Sequence, residues 1–591
     1  MNKFLSILLF LFSFVTFAQN EQLAFDYIEN GEYEKAVALL EKSYEKSPQP
    51  FIVEKLLTCY QQLEQFDKAK NLISERKTRD KNPRWIMEEG YIFQLQDDQN
   101  KADKKYQEAL DKILENANYA YTLGSAFEKK SLLNWALLAY ELGQKQNPNL
   151  NFDFQIALLN GQMGDLDGMT NKLLDYAYAN QNNIGVVQNY LTRFLSEDPS
   201  ETYLSNLKKI LIVRTQKNPD VFWNHFLSWF YVQQKDFGKA FIQEKAIFKR
   251  NPDTFNNIIA LGEMAIEDNQ FETARPIFEF VLENTQDVDL QLQVNYFILQ
   301  IKILEAKPED YSTIKEELNS LLAQFGNTPN SLDLQLLAAN FECFYLNNPT
   351  QATTLLNKAL ELNLNPRDQS KVKLKLADIL LYNEKFNQAI LYYAQVEDNM
   401  KNDEMAHEAS MKMAKANYFK NDFDWALQQV KVLKQSASLL IANDALELFL
   451  LIQDNSVEDS LRTSLKAFSR ADLKLYQNKK QEALKDFKQI LVDFKEDAII
   501  DETLLKIGKI ETELKNYSEA LNNFNKIIEE HADGIYVDEA LFFSAEIYRR
   551  YLDEPDKAKP LYEKIIFNHQ DSSYFTEARK QYRILRGDTN L

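Results

Sequence analysis

The chain has 591 residues, 45% hydrophobic and 26% charged, with only 14 glycines and 14 prolines. That is too long for one hydrophobic core and too poor in glycine for folds built on tight turns or phosphate-cradling loops, so a multi-domain or repetitive helical chain is expected. Lys plus Arg number 68 against 88 Asp plus Glu, and the formal net charge of −20 argues against nucleic acid or an anionic lipid surface as a partner.

The first residues read as an address. Lys3 is followed by an almost wholly apolar run from Phe4 to Phe17, and Thr16-Phe17-Ala18 offers the small residues of a cleavage site. The run falls short of the ~20 residues of a membrane span. Residues 1–18 are therefore expected to be a signal peptide, with a mature chain beginning at Gln19. No cysteine follows the run, so a lipoprotein anchor is not expected, and no second long apolar stretch occurs. The mature chain is expected to be exported, periplasmic and soluble, without a membrane span. Cys59 and Cys343 each sit in an amphipathic helical pattern and read as buried thiols, not as a disulfide framework.

Beyond the leader one pattern returns along the chain: a small residue, an aromatic or aliphatic one four later, and a small or aliphatic one three beyond. Ala36, Leu40 and Ser43 form it first; Ala102, Tyr106, Ala109 and Ala136, Tyr140, Gly143 follow. It recurs at Ala274, Phe278, Val281, then at Ala389, Tyr393, Val396, and at the sets beginning Ala483, Ala520 and Ala558. These offsets lie on one helical face. About 12 residues before each stands another small residue, usually after an apolar one: Ala24, Gly124, Ala377 and Gly508. A polar turn such as Glu29-Asn30-Gly31-Glu32 separates the two, so each unit is a helix–turn–helix whose small residues let the helices approach. Asn-Pro at 82–83, 147–148, 218–219, 251–252 and 365–366 stops several second helices.

The marker alanines Ala36, Ala69, Ala102 and Ala136 are 33, 33 and 34 residues apart. In this pattern and period the chain resembles the tetratricopeptide repeat family over nearly all of residues 20–591. The resemblance implies an all-α superhelical solenoid of antiparallel helix pairs. Later markers (Ala352, Ala389, Ala426; Ala483, Ala520, Ala558) are 37 or 38 residues apart. There the units look like the longer-helix repeats of periplasmic and outer-membrane-assembly proteins of the BamD and CpoB type. The long interval from Ala426 to Ala483 holds an extra apolar helix, "LLIANDALELFLLI". Units are hard to mark around 160–206 and 285–335. The expected organisation is an N-terminal array at 19–285, an irregular helical connector at 286–335, and a C-terminal array at 336–591. A helix from Tyr574 to Arg586 should cap the open end.

No constellation in the sequence carries catalysis, a cofactor or a metal. The histidines (His225, His407, His531, His569) fall in separate units, and His407-Glu408 lacks the second histidine of a zincin, with Met411 in its place. Gly238-Lys239 and Gly508-Lys509 lack the rest of a P-loop. Residues 160–168, "NGQMGDLDG", do not match a calcium loop and read as a turn. Arg586-Gly587-Asp588 reads as a chance tripeptide in a frayed tail.

What remains is surface. In the resembled family the first helix of each unit lines a groove that holds extended or helical segments of partner proteins. Carried onto this chain, the groove side holds Phe25, Tyr91, Tyr121, Phe222, Trp229 and Phe341, aromatics that either bind or pack between units. The family's carboxylate-clamp residues do not appear: those sites read Glu54, Thr58, Met87 and Ser125. The expectation is a non-catalytic periplasmic scaffold or adaptor in cell-envelope biogenesis, binding an extended apolar or helical segment through its N-terminal array. A secretion or gliding-motility accessory protein is the alternative. A helical-repeat envelope enzyme such as a murein hydrolase is a third, for which the repeats leave no catalytic domain.

Overall fold

The computed structural model describes residues 21–196, 201–252, 254–435, 438–456 and 461–587. The leader, its cleavage point before Gln19, and Asp588 of the Arg-Gly-Asp tripeptide lie outside them. The described residues form α-helices, two short 3-10 turns and connecting turns, with no strand. The fold is an all-α helical repeat. No helix among them is long and apolar enough to cross a membrane.

The repeat pattern works as a size code. Every marker alanine from Ala36 to Ala558 is fully buried, and so are its large partners Tyr106, Tyr140, Phe278, Tyr393, Phe487, Phe524 and Tyr562. Tyr106, Tyr140, Phe278 and Phe524 each sit in a gap left by a glycine of the facing helix. A Cβ added at Gly124 would stand 2.5 Å from Tyr140 Cε1, one at Gly262 2.5 Å from Phe278 Cζ, and one at Gly90 2.8 Å from Tyr106. Such a ring, once buried, is worth ~2–3 kcal/mol. The glycine opposite it fixes how closely the two helices pack.

The turn inside each pair has its own rule. Five residues before the marker position the chain takes a left-handed conformation. Gly31 and Gly164 adopt it, but so do Glu64, Asp97, Ser131, Lys235, Asn269, Asn347, Glu384, Asn421, Asn478, Lys515 and Asp553. A side chain there costs ~1–2 kcal/mol, which the packed pair on either side supports. Asp98, Asp165 and Asp236 then start their second helices by accepting the N–H of Lys101, Gly168 and Lys239.

The described residues divide into two compact units, one within Met1–Glu197 and Tyr203–Val213, the other within Asp198–Thr202 and Arg214–Leu591. The first contains the pairs Pro50–Gln62 with Phe66–Arg79, Arg84–Leu95 with Gln99–Glu115, Tyr119–Lys129 with Leu133–Gln146, and Asp153–Gln162 with Leu166–Ala179. A helix at 21–29 and Tyr33–Lys46 precede them. The pair at 153–179 reaches into 160–206, where units are hard to mark from the sequence. Met169, fully buried, stands where the alanine belongs, and it fills its site against Gly161.

In the second unit, residues 286–335 hold Val288–Glu305 and Tyr311–Phe325, joined through Pro308–Asp310. Leu292, Leu299 and Ile303 share a core with Ile314, Leu318, Leu334 and Phe341, so the apolar interior runs on through this stretch. The two compact units part near residue 213. The longer late spacing has a local cause: the first helices Pro366–Tyr382 and Glu404–Phe419 have 17 and 16 residues, against 12 and 11 in Arg84–Leu95 and Tyr119–Lys129. The extra helix is Leu439–Asp454, bedded on Glu404–Phe419 and Phe423–Leu433 through Ala445, Leu448 and Ile452. Phe575–Arg586 ends the described array, with Ala578 and Gln581 buried. Cys59 and Cys343 are buried and free, and burial pushes their thiols up to about 11 and about 12.

Candidate interaction cleft

The first helices Pro50–Gln62, Arg84–Leu95 and Tyr119–Lys129 lie in succession within the first unit and wall a cavity of about 410 Å³. Pro50 begins the first of them, and just before the second Asn82 Oδ1 accepts the Arg84 N–H at 3.0 Å. From these starts, Glu54 and Thr58, then Glu88 and Tyr91, then Thr122, Ser125 and Lys129 fall on one face and line the cavity. Gln61, Gln62, Arg84, Tyr121, Ala126 and Lys130 complete it.

Two polar networks cross this cleft. Lys129 Nζ donates to Glu54 Oε1 at 2.6 Å, spanning from the third helix to the first, and Arg84 Nη2 reaches the other oxygen at 3.4 Å. Burial pushes the Glu54 carboxyl up, but Lys129 and Arg84 outweigh it and hold the group below its ordinary value. In the second network Gln61 Nε2 donates to the buried Glu88 carboxylate at 2.9 Å, and Lys130 Nζ donates to Gln61 Oε1 at 2.6 Å while lying 3.6 Å from Glu88. Lys130 also sits 4.7 Å over the Tyr91 ring. The Arg84 guanidinium stacks 4.8 Å over Trp85, and its Nε–H is buried without a hydrogen-bond partner.

The aromatics expected on the groove side divide. Tyr91 is half-buried in the cleft wall, its hydroxyl pushed up by burial and by the Glu88 charge, and Tyr121 is 57% exposed at the rim. Phe25 is half-buried outside the cleft, edge-on to Phe51 at 6.0 Å with Lys55 above it. In the second unit Trp229 is half-buried, edge-on to Phe226 at 6.2 Å. Two assignments are corrected. Phe222 is buried against Trp223 and Phe226 at 4.7 and 5.1 Å, and Phe341 is fully buried between Tyr311 and Tyr345 at 5.7 and 5.3 Å. Both are core residues, because their helical register turns them toward neighbouring helices. Met87 is likewise a core residue, and its neighbour Glu88 lines the cleft in its place; one residue of register rotates a helical side chain by ~100°. Sequence reasoning placed Glu54, Thr58 and Ser125 on this face, but missed Arg84, Lys129 and Lys130.

In the second unit several polar side chains pair with groups of the chain itself. Lys412 Nζ and Tyr393 OH donate to the buried Asp378 at 2.9 and 2.7 Å, and Lys509 Nζ donates to Glu539 at 2.6 Å. At one turn Tyr476 OH, Gln477 Nε2 and Asn478 Nδ2 donate to the carbonyls of Asp378, Tyr382 and Phe344 at 2.9, 2.8 and 3.3 Å. A second cavity, about 580 Å³, lies at the turn 493–498 beside Asp454 and Asn455, with carboxylates of Asp493, Glu496 and Asp497. Among the described residues no group of three His, Cys, Asp or Glu side chains could hold a metal ion.

A tetratricopeptide repeat model matches residues 502–534. No curated protein matches the chain. Among solved structures it is similar to Naa15/Naa10 bound to HypK-THB at 13% identity, over 97% of each chain, with a TM-score of 0.30. It is similar to the APC/C hetero-tetramer Cut9–Hcn1 at 13% identity, over 96% of each chain, TM-score 0.25. It is also similar to yeast Tom70 at 13% identity, over 96% of this chain and 99% of that one, TM-score 0.27.

Proposed function

We propose that the chain is a non-catalytic scaffold, and that its first unit captures a segment of a partner protein in the cleft between Glu54 and Lys130. The observation that supports this is the cavity itself: about 410 Å³, walled by three successive helices, with Tyr121 standing 57% exposed at its rim. Tyrosine offers a large contact area at little entropic cost and carries a hydroxyl for a hydrogen bond. The cleft is polar, so the segment it takes is polar too, in contrast to the apolar one expected from the aromatics alone.

We propose further that residues 1–18 direct export and that the mature chain works in the periplasm, in cell-envelope biogenesis. The support is the Lys3, apolar run and Thr16-Phe17-Ala18 pattern, with the 37- and 38-residue spacing of the later units, by which we liken them to longer-helix envelope repeats. N-terminal sequencing should find Gln19 first in a soluble periplasmic fraction; recovery with the leader attached to membranes overturns this reading. For the cleft, a photoreactive residue at position 121 should cross-link a protein in cell extract, whereas one at the exposed Leu138 of the second-helix face should not. Equal labelling at both positions, or none at 121, overturns the cleft reading.

A further inference from the structure

We propose that the occupant of this cleft, on the reading of it as a partner-binding site, is an extended acidic segment, one of whose side-chain carboxylates takes Arg84 and Lys129 from Glu54.

Charge comes first. The cleft carries Arg84, Lys129 and Lys130 against Glu54 and Glu88, an excess of positive charge on a chain whose net charge is −20. The anionic side is already stretched, since Glu54 alone serves both Lys129 and Arg84. Its contact with Arg84 is 3.4 Å, long for a charge-assisted hydrogen bond, which is usually ~2.7–2.9 Å. The Arg84 Nε–H has no partner. A guanidinium offers a rigid fork of donors that a carboxylate fills with two parallel bonds, and here that fork is under-used.

Exchange is cheap on the other cation. The Lys129 side chain is largely exposed, so its pair with Glu54 is screened and weak, and a second carboxylate can replace it at little cost. Glu88 is different: it is buried and held by both Gln61 and Lys130. It stays in place and keeps Lys130 occupied, which leaves Arg84 and Lys129 as the pair that changes partners.

Shape selects an extended segment. A helix with its side chains is ~10 Å across, and a single turn of one would fill a cavity of about 410 Å³. A strand runs past three helices with its backbone within reach of Ser125 and the exposed Gln62, which line the same cavity. An apolar segment would strip water from Arg84 and Lys129 and return no bonds.

The test uses the purified full chain and fluorescent peptides of about eight residues, long enough at ~3.3 Å per residue to cross three helices. One alternates Glu with Ser and is C-terminally amidated; a second has Gln for Glu; a third alternates Leu with Ser. The Glu peptide should bind, weaken with salt, and exceed the Gln peptide by about tenfold or more. Lys129→Gln, at an exposed position, should weaken it about fivefold, as should Arg84→Gln with helicity unchanged. Glu54→Gln should tighten it about fivefold, because the competing carboxylate is gone; a merely structural role for Glu54 would weaken binding or leave it unchanged. Equal binding of the Gln peptide, no binding of the Glu peptide, a need for a free C-terminal carboxylate, or no gain from Glu54→Gln each overturns the proposal. If the Leu peptide alone binds and Tyr121→Ala releases it, the acidic class is wrong while the cleft remains a partner site. Absence of cross-linking at position 121 would instead remove the cleft reading itself.

Discussion

Gly124→Ala should destabilise this protein although the same change stabilises most helices. In an unencumbered helix interior alanine is better than glycine by ~1 kcal/mol. At position 124 the new methyl would stand 2.5 and 2.7 Å from Tyr140 Cε1 and Cε2, about 1 Å inside the ~3.5–4.0 Å at which carbon atoms pack. The ring cannot swing away: Tyr140 is 1% exposed and rests against Phe152 at 5.2 Å. Overpacking of this kind costs ~1–3 kcal/mol, so the net loss should be about 1 kcal/mol or more. Gly238→Ala supplies the control, since its methyl would meet only Thr273 Cγ2 at 3.9 Å; in the first turn of Phe237–Arg250 it should be neutral or gain up to about 0.5 kcal/mol. Repeat arrays seldom unfold in one step, so the measurement is native-state hydrogen exchange, read over Tyr119–Lys129 with Leu133–Gln146 and over Phe237–Arg250. Tyr140→Leu combined with Gly124→Ala should cost less than the two changes separately, because the methyl then has room. Stabilisation by Gly124→Ala equal to that at Gly238, or simple additivity with Tyr140→Leu, would show that the ring does not set the helix spacing.

Other changes test other parts of the molecule. Lys515→Gly should raise thermal stability by about 0.5 kcal/mol, since it relieves a side chain held at φ +64° against the entropy that glycine adds to the unfolded chain. Burial pushes the Glu502 carboxyl up to about 7 from the usual 4.5; Asn455 Nδ2 at 3.2 Å and Tyr536 OH at 3.4 Å oppose the rise and the Asp501 charge adds to it. The folded state therefore holds this proton longer than the unfolded one. The stability it contributes is complete below about 4.5 and is lost as pH rises through about 7, ~3 kcal/mol at most. Glu502→Gln should flatten the dependence of the urea midpoint between pH 5 and pH 8, and an unchanged slope refutes the assignment. Tyr121→Ala should weaken partner binding by about 1–2 kcal/mol with no change in melting temperature, because the ring is mostly in solvent.

Much of the fold was legible because the repeat speaks through side-chain size. An alanine at one position and a ring four residues on is a local signal, and each such pair from Ala102 with Tyr106 to Ala558 with Tyr562 is buried. Where size changed, the signal vanished: Met169 occupies an alanine position, and the pair around it was invisible although its backbone follows the same rule. The turn was hidden for a related reason. Glycine marks a left-handed position in a sequence, but Glu64, Lys235 and Lys515 take that conformation too. They do so because the helices packed on either side hold the chain there, and that support comes from tertiary contacts that composition does not record.

The cleft was harder to read, and the difficulty is geometric. An aromatic at groove-side spacing and an aromatic in the core differ by a fraction of a helical turn, so Tyr121 at the surface and Phe341 in the interior gave the same signal. The groups that define the cleft's chemistry meet across distances no local pattern carries: Lys129 lies 75 residues from Glu54, and Lys130 lies 69 from Gln61. They meet because the first and third helices approach within side-chain reach across the second. That approach in turn depends on small residues, Gly90 under Tyr106 and Gly124 under Tyr140, drawing each pair tight. The size code that builds the array therefore also sets the width of the cleft. If that is so, Gly124→Ala should loosen the Lys129–Glu54 pair as well as its own helix pair. Its effect on binding of the Glu–Ser peptide should then resemble that of Glu54→Gln in direction while stability falls, a combination that neither a purely structural nor a purely electrostatic role for these residues would produce.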